Sequence, residues 1–378
     1  MRKYLLGLLV LLSCMLIAVS CQAAALYSMA LVTKNAVNIR KTPGGNIVDR
    51  LQKGECVSII EATMSGGKEW DRIIVSRKLD NVVICGYVDA SFLEDITDKY
   101  TGIAEAAPGD RHIVLRYPDG RTVAVGETFM DNLSIGHWPP VAHVYATRFM
   151  SAALGMDGRL YTSTGYSRPD YLKNWAGIDA VFPCMEDFTN VVVRRTDGRI
   201  ECDFDVYKYL FPERYTGAEQ VVFTPFFSAA LKDGQVMVTA SQQSGMQNIL
   251  APAEGLSGIR KIACGKACLA CLDLEGNMYM YSNEPDIQDA DRWQNVVDIA
   301  AAGGFVVGVM RDGTVRMAGT LEVRNRTYAD ESGIIVRENY ENILSSWHDI
   351  VEIRASWRMI VGRQADGHIC LLYPNRYQ

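Results

Sequence analysis

The side chains of this 378-residue chain that could carry chemistry are five histidines, ten cysteines and a regular series of carboxylates. His112, His137, His143, His348 and His368 stand far apart and form no H-E-x-x-H or similar metal spacing. The chain contains no G-x-S-x-G elbow, no Walker-type phosphate loop and no Cys/His nucleophile signature. Cys264, Cys268 and Cys271 have the density of half a zinc site. Tetrahedral zinc would need a second ligand pair, and no histidine is near in sequence. Cys268 and Cys271 also fall in an apolar strand, where an odd separation turns side chains to opposite faces. They read as buried structural thiols, so neither a metal nor a cofactor is expected.

The carboxylates are more informative. Seven acidic-Gly pairs recur, at Asp119-Gly120, Asp157-Gly158, Asp197-Gly198, Asp233-Gly234, Glu275-Gly276, Asp312-Gly313 and Asp366-Gly367. Successive acidic residues lie 38, 40, 36, 42, 37 and 54 positions apart. Each pair stands between two apolar runs, a strong hairpin signal, because Gly accepts the positive φ of a tight turn. A near-constant period of this size marks a propeller or solenoid. The acidic residues are therefore turn residues, with a sufficient structural cause, and none is a catalytic candidate. Residues of different repeats could still converge at a central opening, but no motif points there, and the expectation is that the protein is not an enzyme.

The elements that carry these turns are short strands. In Trp293 to Gly319, the runs Val296–Ala300, Phe305–Met310 and Thr314–Met317 are apolar, and Asp312-Gly313 joins the last two. Runs this continuous fit strands covered on both faces. No sustained helical period follows the first 25 residues, so the chain is expected to be all-β. Seven units favour a closed ring, which removes exposed sheet edges. The pattern V-x-x-I-A-x-G followed by D-G-x-V-x-x-x-G, here Val296–Ala300 with Gly303 and Asp312–Val315 with Gly319, resembles the repeats of the regulator of chromosome condensation family. Gly126 holds the same last position in unit one, and Gly165 lies one residue beyond it in unit two. Glu275 departs from the pattern, as does Gly304-Phe305, where the family has a His. The resemblance implies a seven-bladed β-propeller over 101–378. Trp175, Trp293 and Trp347, each preceding a repeat, are expected to pack between blades.

The N-terminus bears on compartment. Arg2-Lys3 precedes an apolar run from Tyr4 to Val19, which reads as a signal peptide over 1–25. Ala18-Val19-Ser20-Cys21 resembles a bacterial lipobox that would lipidate Cys21, whereas Ala23-Ala24-Ala25 offers an ordinary secretory cleavage site. Both alternatives give an extracytoplasmic protein, secreted or anchored as a membrane lipoprotein. Export permits disulfides. Cys56 and Cys85 share one small domain and Cys184 and Cys202 one repeat, but partners cannot be assigned. The net charge of −6, without a basic cluster, argues against nucleic acid.

Residues 28–98 do not follow the repeat. Val37-Asn38-Ile39-Arg40-Lys41-Thr42-Pro43, Leu51-Gln52-Lys53-Gly54 with Val57, and Gly86-Tyr87-Val88 with Phe92-Leu93 are similar to the bacterial Src-homology-3-like domain. Tyr87 stands for the usual Trp and Phe92 for the usual Tyr. The resemblance implies a small barrel that binds a cell-wall peptide, glycan or other envelope ligand, with Trp70, Tyr87 and Phe92 as groove residues. The same rings could instead be the core of a domain with few large residues.

Function is expected in the variable linkers, because loops carry it more often than scaffolds do. The linker after the second turn holds Tyr166 and Tyr171. The one after the third holds Tyr207, Tyr209, Phe211 and Tyr215. The longest runs from Thr320 to Ser346. Aromatic side chains are the usual anchors of protein interfaces, although they could equally plug the rim. The expectation is an exported binding or scaffold protein that presents propeller rim loops to a protein partner. The alternative is a secreted inhibitor of an extracytoplasmic enzyme such as a β-lactamase, as one member of the resembling repeat family is. The third reading is a hydrolase or lyase acting on cell-surface polymer.

Overall fold

The computed structural model describes residues 28–53, 56–76, 83–95, 101–110, 112–126, 133–147, 150–163, 175–183, 191–202, 209–242, 244–320, 327–329, 335–337, 344–345 and 347–372. From residue 101 onward the described chain forms seven antiparallel sheets of three strands each. Their first strands are Glu105–Pro108, Val141–Ala146, Ile178–Pro183, Gln220–Phe223, Ile259–Gly265, Val296–Ala302 and Ile350–Ser356. Every sheet is a meander, with the middle strand flanked by the first and third. The middle strands are buried almost throughout, as Cys268–Asp273 and Gly304–Met310 show. This is why their sequences run apolar without alternation.

The acidic-Gly turns join the second and third strands as expected. Asp119, Asp157, Asp197, Asp312 and Asp366 each accept the backbone N–H two residues on, at 2.9 to 3.1 Å. This is the turn bond that a short carboxylate makes best. In the fourth unit both Asp233 and Gly234 have positive φ, 52° and 73°, as a two-residue hairpin loop requires.

The same glycines also bind the sheets together. The carbonyl of Gly120 accepts from Val141 N–H at 2.9 Å, Gly158 from Ile178 at 3.0 Å, and Gly198 from Gly217 at 2.8 Å. Gly234 accepts from Ile259 at 3.0 Å, Gly276 from Val296 at 2.9 Å, and Gly313 from Ile350 at 3.1 Å. The seventh of these bonds runs from Ile103 N–H to Gly367 at 3.1 Å, so the last sheet returns onto the first. Met359, Val361 and Ile369 of the seventh sheet share a core with Ala106, Ile113 and Leu115 of the first.

Between neighbouring sheets the core holds the expected tryptophans. Trp293 lies in one cluster with Ala270 of the fifth unit and Ile299 of the sixth. Trp347 joins Val307 of the sixth unit and Ile353 of the seventh. The indole rings press on Gly308 and Gly362, where an added Cβ would come within 3.1 and 2.9 Å of ring carbons.

The all-β expectation needs one correction. Among the described residues, two linkers hold a complete short helix, Met246–Leu250 and Pro285–Gln288, and Leu344 and Ser345 are helical in a third. Met246, Leu250 and Ile287 are buried on the sheets. Each helix is one turn long, too short to show a period in sequence. The longest linker contains a further hairpin, Thr327–Ala329 paired with Ile335–Arg337.

The described residues between 28 and 95 form a separate seven-stranded antiparallel sheet with its own core of Ile39, Leu51, Val57, Ile73 and Val88. Its ends are the strands Ile47–Leu51 and Leu93–Asp95.

Candidate functional site

Among the described residues, two places gather side chains that could meet another molecule. The first is the turn between the first two strands of the fourth unit. Phe226 sits in this turn and is 41% exposed, and Tyr209 in the preceding linker is 54% exposed. The linker is fixed to the turn from beneath. Phe211 packs edge-on against Phe223 with ring centroids 5.2 Å apart. Ser228 Oγ donates to the Leu210 carbonyl and stands 3.1 Å from the Tyr215 hydroxyl oxygen. Tyr215 is fully buried, and its O–H reaches the Ser228 carbonyl and Thr239 Oγ1 at 3.2 and 3.1 Å. Burial pushes the Tyr215 phenol pKa up against the lowering effect of these bonds.

The linker candidates thus divide. Tyr209 is a surface residue, Phe211 is half-buried support, and Tyr215 is core with no face left for a partner. Tyr166, Tyr171, Tyr207 and Cys21 lie outside the described residues. In the N-terminal sheet, Trp70 is 8% exposed and Tyr87 half-buried. Phe92 packs against that sheet's core, and the Lys34 ammonium lies 5.0 Å from its ring. Phe226 is a surface aromatic that the sequence reading passed over, because it stands inside a repeat and not in a linker.

The second place is the axis. One cavity of about 250 Å³ is lined by the first strand of all seven sheets. Its walls are mainly apolar, with Tyr145, Phe182 and Phe223 on one side. Two charged residues also line it, Lys261 and Arg354.

Lys261 belongs to a girdle at the third position of the segments equivalent to V-x-x-I, which is polar in six units, at Glu105, His143, Gln220, Lys261, Asp298 and Glu352, and Ala180 in the third; Arg354 stands two residues after Glu352. In units two, three, five, six and seven, a register shift precedes this position. Such bulges re-aim a side chain. Three girdle residues reach across to the next sheet and accept its backbone N–H: Glu105 from Val144 at 3.2 Å, Gln220 from Ile262 at 3.0 Å, and Asp298 from Ile353 at 2.8 Å.

Charge pairs complete the girdle. Lys261 Nζ donates to Asp298 Oδ1. Arg354 donates to Glu105 at 2.7 Å and to Glu352 at 2.9 Å, and Glu352 also holds Arg363 at 2.8 Å. Glu105 further accepts from Arg116 at 3.1 Å, and His143 Nδ1 lies 3.4 Å away. Burial alone would raise the Glu105 pKa. The hydrogen bond with His143 and the Arg354 charge overcome it and hold the pKa down at about 2. Burial likewise pushes the Tyr145 phenol up, reinforced by the Glu105 charge. Sequence reasoning missed this girdle. Its available signal was the run of polar residues at the third position of an otherwise apolar repeat.

The cysteine cluster separates as its spacing suggested. Cys268 packs in the cluster between units five and six, and Cys271 in the one between units four and five. Burial pushes the Cys271 thiol up to about 12, far from the thiolate that a metal needs.

No family model matches the chain, and no curated protein does. Solved structures do. Yeast RCC1 (Prp20), solved with Kap60, is 11% identical over 89% of this chain and 88% of its own, with a TM-score of 0.51. The three-stranded sheets form a β-propeller. The CRINKLY WD40 ectodomain of an Arabidopsis thaliana receptor kinase is 13% identical over 74% of this chain and 97% of its own, with a TM-score of 0.49. The whole ectodomain of the Physcomitrella patens receptor kinase CR4 is 11% identical over 70% of each chain, with a TM-score of 0.46. At these identities the likeness to RCC1 is one of fold.

Proposed function

We propose that the protein is an exported, non-catalytic binding protein built on a seven-bladed propeller, with a small Src-homology-3-like barrel before it. The propeller presents one rim to a protein partner. The barrel holds an envelope ligand or spaces the propeller from the surface that carries it. The observation that carries the rim reading is the pair Tyr209 and Phe226, both exposed, on a linker and a turn that buried Tyr215 and half-buried Phe211 lock together. A rigid support lets exposed rings bind without a large ordering cost, and tyrosine and other aromatics are the usual hot-spot anchors. The acidic-Gly rim offers instead turns whose backbone is already committed to neighbouring sheets.

Photo-crosslinking amino acids placed at positions 209 and 226, and at 275 on the opposite rim, test this in the native cell. One partner captured from 209 and 226 but not from 275 is expected. Equal capture from 275 would overturn the rim assignment. With the partner in hand, Tyr209→Ala and Phe226→Ala should each weaken binding by about 2 kcal/mol.

A further inference from the structure

The rim reading leaves the axial cavity without a role, yet its lining is divided in a specific way. Units two to four supply Tyr145, Phe182 and Phe223, an aromatic wall. Units five to seven supply Ala263, Ala300 and Ala355, which leave the volume open, and both charged lining residues, Lys261 and Arg354. Both of these are cations. Their carboxylate partners do not line the cavity. The side chains of Glu105, Asp298 and Glu352 are 7%, 11% and 24% exposed, against 30% for Lys261 and 32% for Arg354. The carboxylates offset the cost of holding cations in a largely apolar site, while the cations face the open volume. Lys261 Nζ carries three donors. Among the described residues its one side-chain acceptor is Asp298 Oδ1, which leaves donors for a ligand.

We propose that the axial cavity binds a small aryl monocarboxylate. Its ring lies on the wall of Tyr145, Phe182 and Phe223. Its carboxylate accepts from Lys261 Nζ beside the Arg354 guanidinium. A volume of about 250 Å³ at protein packing density suits a molecule of about ten heavy atoms. Offset or edge contacts with three rings favour an aromatic body over an alkyl chain.

Calorimetric titration of the full chain with phenylacetate tests the proposal. 2-Phenylethanol serves as the neutral analogue of similar shape and phenethylammonium as the cationic one. Phenylacetate should bind at least about tenfold more tightly than the alcohol, and the ammonium should not bind. Lys261→Gln should erase the preference for the acid while retaining alcohol binding. Ala300→Phe should abolish both by filling the cavity. If Ala300→Phe fails to fold, methyl NMR of the unaltered chain replaces it, with phenylacetate-induced shifts expected at Ala263 and Ala300. Equal affinity for acid and alcohol, no binding of the acid at about 10 mM, or shifts confined to residues away from the cavity would overturn the proposal.

Discussion

Glu105 is 5% exposed and gathers Arg116, Arg354, His143 and the Val144 amide around one carboxylate. Its folded pKa of about 2 lies below the ordinary 4.5. The stability it contributes is therefore present above about pH 4.5 and is lost as pH falls toward 2. Glu105→Ala should cost about 3 kcal/mol, because it takes this acceptor from the part-buried Arg116 and Arg354 and from the buried Val144 amide, and urea unfolding at pH 7 measures this. His112 acts in a higher window. It is fully buried, and burial lowers its pKa from 6.5 to about 4. The unfolded chain takes up this proton first, so stability falls between about pH 6.5 and 4. Unfolding free energies across pH should thus decline in two stages. Replacing His112 by Gln should remove the upper stage and leave the lower, and a single stage in the unaltered protein would contradict both assignments.

The acidic-Gly hairpin is the element that organises the propeller, and its glycines differ in what they must avoid. Gly367 has φ +84°, and an added Cβ would lie 2.6 Å from Ile103 N and 2.8 Å from Gly102. Gly234, at φ +73°, has its nearest neighbour 3.6 Å away. Gly234→Ala should therefore cost only the conformational penalty, about 1 kcal/mol. Gly367→Ala should cost at least about 2 kcal/mol more, because backbone must move. Similar losses in thermal unfolding for the two variants would refute the close-approach argument. The hairpins were legible in sequence because turn chemistry is local: Asp366, Gly367 and their flanking apolar runs are contiguous. The girdle was not, because Arg354 meets Glu105 across 249 residues, and no local pattern pairs them. Phe226 and Tyr215 were illegible for a related reason. A linker aromatic looks exposed from sequence and a repeat aromatic looks buried, yet Tyr215 is core and Phe226 is surface.

At the scale of the whole molecule, the contacts between the seventh and first sheets decide how the propeller unfolds. An open array of repeats loosens from its ends, since each unit leans only on its neighbours. Here Ile103 is bonded to Gly367, Ser356 Oγ donates to the Gly109 carbonyl at 2.7 Å, and Arg354 binds Glu105. Residues 101–378 should accordingly unfold in one transition by both circular dichroism and tryptophan fluorescence. Ser356→Ala combined with Gly367→Ala should selectively reduce amide-exchange protection in the first and seventh sheets, and uniform loss across all sheets would count against a seam. The bond at that seam joins a backbone N–H to the turn glycine's carbonyl as the six others do, and its 3.1 Å lies within their range of 2.8 to 3.1 Å. A bond repeated around a full circuit does not record where the polypeptide begins. Joining residue 378 to residue 101 and reopening the chain in the linker after the fourth sheet should give a circular permutant with the same tertiary structure. The order in which the ribosome makes the seven units is then a matter of history, and the folded protein retains no memory of it.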